Sequence, residues 1–214
     1  MLQKSSNQLL NLGSTLVSYN IATSCLLPPI SSAIKEYWLA GNGVFLGAAR
    51  DGVEVCVQLC ALNIPGLPKL KPYFNFDYPP IPQHLVSTLL ELSTAAGQEE
   101  VLFYLAFTDD NWQLIIPDQV ATEYNVTPID PLNPFYELAI VEVHSHHRMA
   151  AEFSLADDKE EAGKFRLFAV LGEIFTNPTI NVRLGIYNHF QLLAASKVFQ
   201  LPPSIIDANN RFVL

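Results

Sequence analysis

The sequence predicts an α+β protein, a mixed β-sheet flanked by helices and preceded by a small N-terminal β-rich region. Three observations predict it. Val53, Val55, Val57 and Leu59 alternate with Glu54, Cys56, Gln58 and Cys60, the period of two of a half-buried strand. Leu85, Val86, Leu89, Leu90 and Leu92 fall on one helical stripe. Val101 to Phe107 is continuously apolar, which suits a central strand covered on both faces.

In chain order, residues 1 to about 35 mix Ser, Asn and Leu without a sustained period, with Pro28-Pro29 near the end, and read as a partly ordered lead-in without a motif. Short strands follow: Tyr37 to Leu39, a turn at Gly41-Asn42-Gly43, Val44 to Ala48, a turn at Arg50-Asp51-Gly52, and Val53 to Leu59. That is a β-meander. Cys56 and Cys60 share one face of its last strand; without a second Cys or His pair nearby they read as buried structural thiols rather than metal ligands.

The proline-rich stretch 63–82, with Ile64-Pro65-Gly66-Leu67-Pro68 and Tyr78-Pro79-Pro80-Ile81-Pro82, disfavours regular ladders. It places the boundary between an N-terminal meander region, residues 1–80, and a second domain, residues 81–214. After Pro82 the helical stripe runs from about 83 to 96, with Gly97 just past its end. Glu99-Glu100 opens the strand Val101 to Phe107, and Asp109-Asp110-Asn111 turns it back into Trp112 to Ile116. Leu138 to Val143, Phe165 to Ile174 and Val182 to Tyr187 are three further strands, and Gln191 to Val198 is expected as a closing helix.

Composition narrows the function. Half of the 214 residues are apolar and 15% are charged, a globular balance. Lys and Arg number 12 against 21 Asp and Glu, a net charge of −9 that repels nucleic acid and anionic membrane surfaces. The longest apolar run, Val101 to Phe107, is far short of the roughly 18 residues a membrane-spanning helix needs. Lys4-Ser5-Ser6-Asn7-Gln8 lacks the apolar segment of a secretory signal, and three cysteines do not make a disulfide framework, so a cytoplasmic location is expected.

The chemistry concentrates after the strand that ends at Val143. His144-Ser145-His146-His147 holds three of the chain's five histidines, and Ser154 and Asp157 follow. Two histidines two apart on a strand present both rings on one face, and a carboxylate eleven residues later can complete a three-ligand site. Such a donor set keeps a metal ion strongly Lewis-acidic and able to lower the pKa of water to about 7. A zinc deaminase would instead need H-x-E with P-C-x-x-C, and neither is present.

The pattern H-S-H-x7-S-x2-D, preceded by a helix and a strand that opens with Glu, resembles the JAMM (MPN-domain) family of zinc-dependent peptidases and isopeptidases. With Glu152-Phe153-Ser154, Asp157-Asp158 and Val170-Leu171-Gly172 it is most similar to a bacterial branch found in PRTRC systems. The resemblance spans about residues 83 to 190. It implies a JAMM/MPN-like mixed sheet, Zn²⁺ held by His144, His146 and Asp157, Ser154 helping to hold the oxyanion, and Glu100 as general base. It also implies a protein or peptide substrate, such as a ubiquitin-like conjugate.

Several positions carry alternatives. Glu99 faces away from Glu100 by strand parity, and Glu142, in phase with His144 and His146, is a rival base or a group that orients a ligand histidine. Asp158 is the alternative ligand, although with Lys159, Glu160 and Glu161 it reads as an exposed helix start. His147 stands where many family members have Pro, and Phe103 where many have Gly; His147 is a candidate substrate contact, orienting group or solvated side chain. The other reading of the whole is a non-catalytic metal-binding scaffold or interaction module.

Overall fold

The structure, a computed structural model, describes residues 16–30 and 33–210. Residues 1–15, 31 and 32 of the expected lead-in lie outside the described residues. The chain divides into two compact units, Met1–Asn75 and Phe76–Leu214.

The first unit is a five-stranded sheet in the order β1-β2-β3-β4-β5. The strands are β1 (Val17–Ile21), β2 (Lys35–Ala40), β3 (Gly43–Arg50), β4 (Val53–Ala61) and β5 (Tyr73–Phe76). β2 to β4 are the meander, turned at Gly43 (φ 144°) and Gly52 (φ 66°), where a Cβ would be strained. Trp38, Ala40, Phe45, Cys56 and Leu70 form its core.

In this unit two strands, β1 and β5, lie where none was expected. β1 pairs in parallel with β2 inside the supposed lead-in, with Tyr19 stacked on its partner Tyr37 at 5.3 Å. Its partner strand is distant in sequence, so five residues with polar Ser18 and Asn20 carry no local signal. β5 fits into the proline-free interval between Pro72 and Pro79 and adds to β4, with the Tyr73 hydroxyl donating to Glu54 (2.6 Å). Cys56 is buried, and burial pushes its thiol up to about 12, a protonated, inert group. Cys60, however, is exposed. Phe45 faces Gln58 while Val44 faces Cys60, so one extra residue is bulged into β4 and the face changes there.

The second unit holds a seven-stranded sheet, ordered β13-β12-β11-β10-β6-β7 with β14 (Ile206–Asp207) beside β12. Its members are β6 (Leu102–Thr108), β7 (Asn111–Ile115), β10 (Val141–Ser145), β11 (Phe165–Gly172), β12 (Thr179–Ile186) and β13 (His189–Leu193). A separate hairpin joins β8 (Gln119–Ala121) to β9 (Val126–Pro128). The helices are α1 (Gln83–Ala95), α2 (Pro134–Glu137) and α3 (Leu155–Glu161). α1 begins at Pro82 and stops at Gly97 (φ 74°), as its punctuation dictates, and buries Val86, Leu89 and Ser93. Asp109 and Asp110, both at positive φ, make the tight turn from β6 to β7. Among the described residues no helix is long and apolar enough to cross a membrane.

The fold class departs from the expectation. With 42% strand and 14% helix the protein is mainly β, not a helix-flanked α+β sheet. Gln191 to Val198, expected as a closing helix, is the end of β13 plus a single 3₁₀ turn at Ala195–Lys197. The Tyr187-Asn188 turn (Tyr187 φ 50°) folds this segment back on β12, and ladder bonds from Val182 to Leu193 outweigh its weak helical pattern. α2 and α3 are one and two turns long, so α1 alone among the described residues is a helix of ordinary length.

Gly172, the last residue of β11, shows how tightly the site is framed. A Cβ there would run into the backbone of Ala150 and Ala151. Gly172→Ala is therefore expected to cost about 1–3 kcal/mol of stability, seen as a lower denaturant midpoint at unchanged slope. An unchanged midpoint would show that the 150–151 turn yields freely.

Candidate metal centre

β10 lies between β6, antiparallel, and β11, parallel, so both of its edges are hydrogen-bonded. Its side chains alternate: Val141, Val143 and Ser145 are buried on one face, and Glu142 and His144 point to the other. His146 continues the strand by one bond, its N–H donating to Leu171 O (2.7 Å), before His147 (φ 28°) ends it. The imidazoles of His144 and His146 meet with Nε2 atoms 3.0 Å apart. His146 Nδ1 lies 3.2 Å from Ala150 O, and because a carbonyl can only accept, the proton sits on Nδ1 and leaves the Nε2 lone pair facing His144.

The third group arrives from α3. Ser154 is its N-cap: Oγ accepts from the N–H groups of Ala156 and Asp157, and Asp157 Oδ2 accepts in return from Ser154 N. This capping box consumes one carboxylate oxygen and leaves the other, Oδ1, 3.3 Å from His144 Nε2. The S-x2-D spacing is thus the spacing of a helix cap that also delivers a ligand. One donor atom from each of His144, His146 and Asp157 lies within 4.8 Å of the others, and the three could hold a metal ion.

Glu100 reaches the same point from the start of β6. The side chain of Ser145, the middle residue of H-S-H, accepts from Val101 N (2.9 Å), while Ser145 N donates to Val101 O (3.1 Å). Those two bonds fasten the end of β10 to the residue after Glu100. Glu100 Oε1 then lies 3.8 Å from His146 Nε2, with only 4% of the residue exposed. Burial, with the negative charges of Asp157 and Glu160, pushes its carboxyl up to about 8. Glu99 is exposed.

The remaining candidates have other partners. Glu142 ion-pairs with Arg166 (3.0 Å) and Lys164 (3.2 Å), so its carboxylate is committed although it borders the cleft. Asp158 ion-pairs with Arg183 (2.6 Å) and is not among the converging groups. Glu161, expected in an exposed helix start, is 3% exposed and bonds Arg183 Nε (2.7 Å). His147 is buried rather than solvated and stands outside the cleft lining; its Nε2 has no hydrogen-bond partner among the described residues. Phe103 is fully buried, on the face of β6 opposite Leu102.

The donor set suits a cation. Burial holds the His144 imidazole down at about 4, against the pull of Asp157. Against its own burial, Asp157 is held below the ordinary carboxylate range by His144 and the Ser154 bonds. At neutral pH the site therefore offers a neutral imidazole at His144 and an ionised carboxylate at Asp157, the forms that ligate metal. Tetrahedral donors about 2.0–2.2 Å from an ion stand about 3.3–3.6 Å apart; His144 Nε2 stands 3.0 Å from His146 Nε2 and 3.3 Å from Asp157 Oδ1, and the three donors lie within 4.8 Å of one another. Buried carboxylates normally come with a cation. Glu142 and Glu161 have theirs, but among the described residues no Lys or Arg ion-pairs with Glu100 or Asp157.

A cleft of about 600 Å³ opens over these groups, with Leu102, Tyr104, Val126, Pro128 and Met149 as apolar lining and Tyr124 and Asn125 of the β8–β9 hairpin at its edge. The hairpin, and the fastening role of Ser145, had no sequence signal beyond the residues themselves. Compared with known proteins, the chain matches no protein-family model and no curated protein.

Elemental analysis of the purified protein is expected to find close to one metal ion per chain in wild type and almost none in His146→Ala or Asp157→Asn. Equal metal in all three would place the ion elsewhere. Ser154→Ala, which removes the cap, is expected to cost about 1 kcal/mol of stability.

Proposed function

We propose that this protein is a zinc-dependent peptidase or isopeptidase of the JAMM (MPN-domain) kind. What carries the reading is the convergence of His144, His146 and Asp157 within 4.8 Å, with a buried carboxylate, Glu100, 3.8 Å from one of them. Zinc held by those three residues would supply a Lewis acid that polarises a scissile carbonyl and acidifies water.

The chain's own groups do the rest. Glu100, in its ionised form, takes the proton of the attacking water at its carboxylate and returns it to the leaving amine. Its seat between the start of β6 and His146 keeps it out of bulk water, while the bonds of Ser145 to Val101 hold the adjoining backbone in place. Ser154 Oγ accepts two cap bonds, so its own hydroxyl proton is free to be donated to the developing oxyanion. His146 is kept in one tautomer by Ala150 O. The apolar cleft wall beside these groups accommodates an extended peptide, and the resemblance points to a ubiquitin-like protein conjugate as the substrate class.

The test is Glu100→Gln, which keeps the shape and removes the base. Zinc content is expected to stay at the wild-type level while cleavage of model peptide and isopeptide substrates falls about 10²–10⁴-fold. Undiminished cleavage would displace Glu100 as the base. Zinc-loaded wild type that cleaves nothing across such a panel would favour the scaffold reading.

A further inference from the structure

Two of the three ligand-bearing pieces lie outside the sheet. His144 sits on β10, whereas His146 belongs to the turn after it and Asp157 to α3. α3 has only seven residues, too few to hold itself in place, so tertiary contacts must fix it. Each piece is tied by one side chain of β12, and the two side chains, at 181 and 183, face the same way.

Arg183 grips the helix. Nε donates to Glu161 Oε2 (2.7 Å) and an Nη donates to Asp158 Oδ1 (2.6 Å). The rings of Phe153 and Phe190 lie 3.9 and 4.0 Å from its guanidinium carbon, and the side chain is 6% exposed. Asp158 and Glu161, three apart, share the helix face toward Arg183, and Asp157, about 100° round the helix, is turned toward the histidines. Asn181 grips the turn. Its Nδ2 donates to Ala151 O (2.7 Å), the carbonyl next to the one that orients His146, and its Oδ1 accepts from Asn209 Nδ2 (2.5 Å). Neither side chain lines the cleft or is one of the converging ligands.

We propose that β12 is the alignment strand of the metal centre, with Arg183 and Asn181 as positioning residues that hold the Asp157 helix and the His146 turn in register with His144. This rests on the metal-centre reading. Groups that orient ligands typically change metal affinity 10–100-fold when removed.

The experiment uses Co²⁺ as the probe on the full chain, with affinity measured by chelator competition and coordination by the visible absorption band. Arg183→Met and Asn181→Ala are each expected to weaken Co²⁺ about 10–100-fold and to alter the band, and Arg183→Lys, which restores charge without the planar fork, to recover part of the loss. Leu89→Ala, a cavity in α1, is expected to lower thermal stability while Co²⁺ affinity stays within about twofold, which separates positioning from general destabilisation. Because Arg183→Met strands two carboxylates, the same substitution with Asp158→Asn and Glu161→Gln is measured beside it, and the same loss is expected. Variants that bind Co²⁺ within twofold of wild type with an unchanged band overturn the proposal, and a loss confined to one position overturns the role of the other. Wild type that takes up no Co²⁺ overturns the metal-centre reading itself, a different failure.

Discussion

The double pairing of β10 is the constraint on which the site depends. A strand bonded on both edges cannot slide, and a slip of one residue would carry His144 to the buried face. From that fixed register the other parts take their places: Ser145 pins the start of β6 and thereby Glu100, and the Leu171 carbonyl leads His146 out alongside β11. The pieces that are not strands are attached to this frame by identifiable bonds, those of Arg183 to α3 and of Asn181 to the turn among them.

The capping box at Ser154 illustrates how little of the chemistry is free of structural duty. A helix cap is worth about 1 kcal/mol, and here the same four residues that gain it also aim Asp157 Oδ1 at His144. Charge follows the same economy. Arg166 and Lys164 neutralise Glu142, and Arg183 neutralises Glu161, whereas among the described residues no Lys or Arg ion-pairs with Glu100 or Asp157 beside the histidines.

Much of the site could be read from the sequence, because its signal is local. His144, His146, Ser154 and Asp157 lie within fourteen residues, and strand parity together with the cap explains their spacing. Glu100 was pointed to by the resemblance, and parity separated it from Glu99, since a buried position beside exposed Glu99 is what alternation predicts. What escaped was non-local. β1 and β5 exist because of partners elsewhere in the chain, β13 is a strand because β12 offers it a ladder, and Cys60 is exposed because of a bulge that no spacing announces. The expected α+β class failed for the same reason, as short segments with weak patterns were recruited into sheets rather than helices. The ion pairs of Glu142, Asp158 and Glu161 likewise depend on arginines and a lysine up to 25 residues away.

The central claim is that one metal ion sits between two imidazoles and a carboxylate. X-ray absorption at the zinc edge of the purified protein tests it most directly. The account predicts a shell of nitrogen and oxygen donors at about 2.0–2.2 Å with the multiple-scattering pattern of two imidazoles and no sulfur. A sulfur shell at about 2.3 Å, which would place the metal on the exposed thiols of Cys25 and Cys60, or a shell without imidazole, would contradict it.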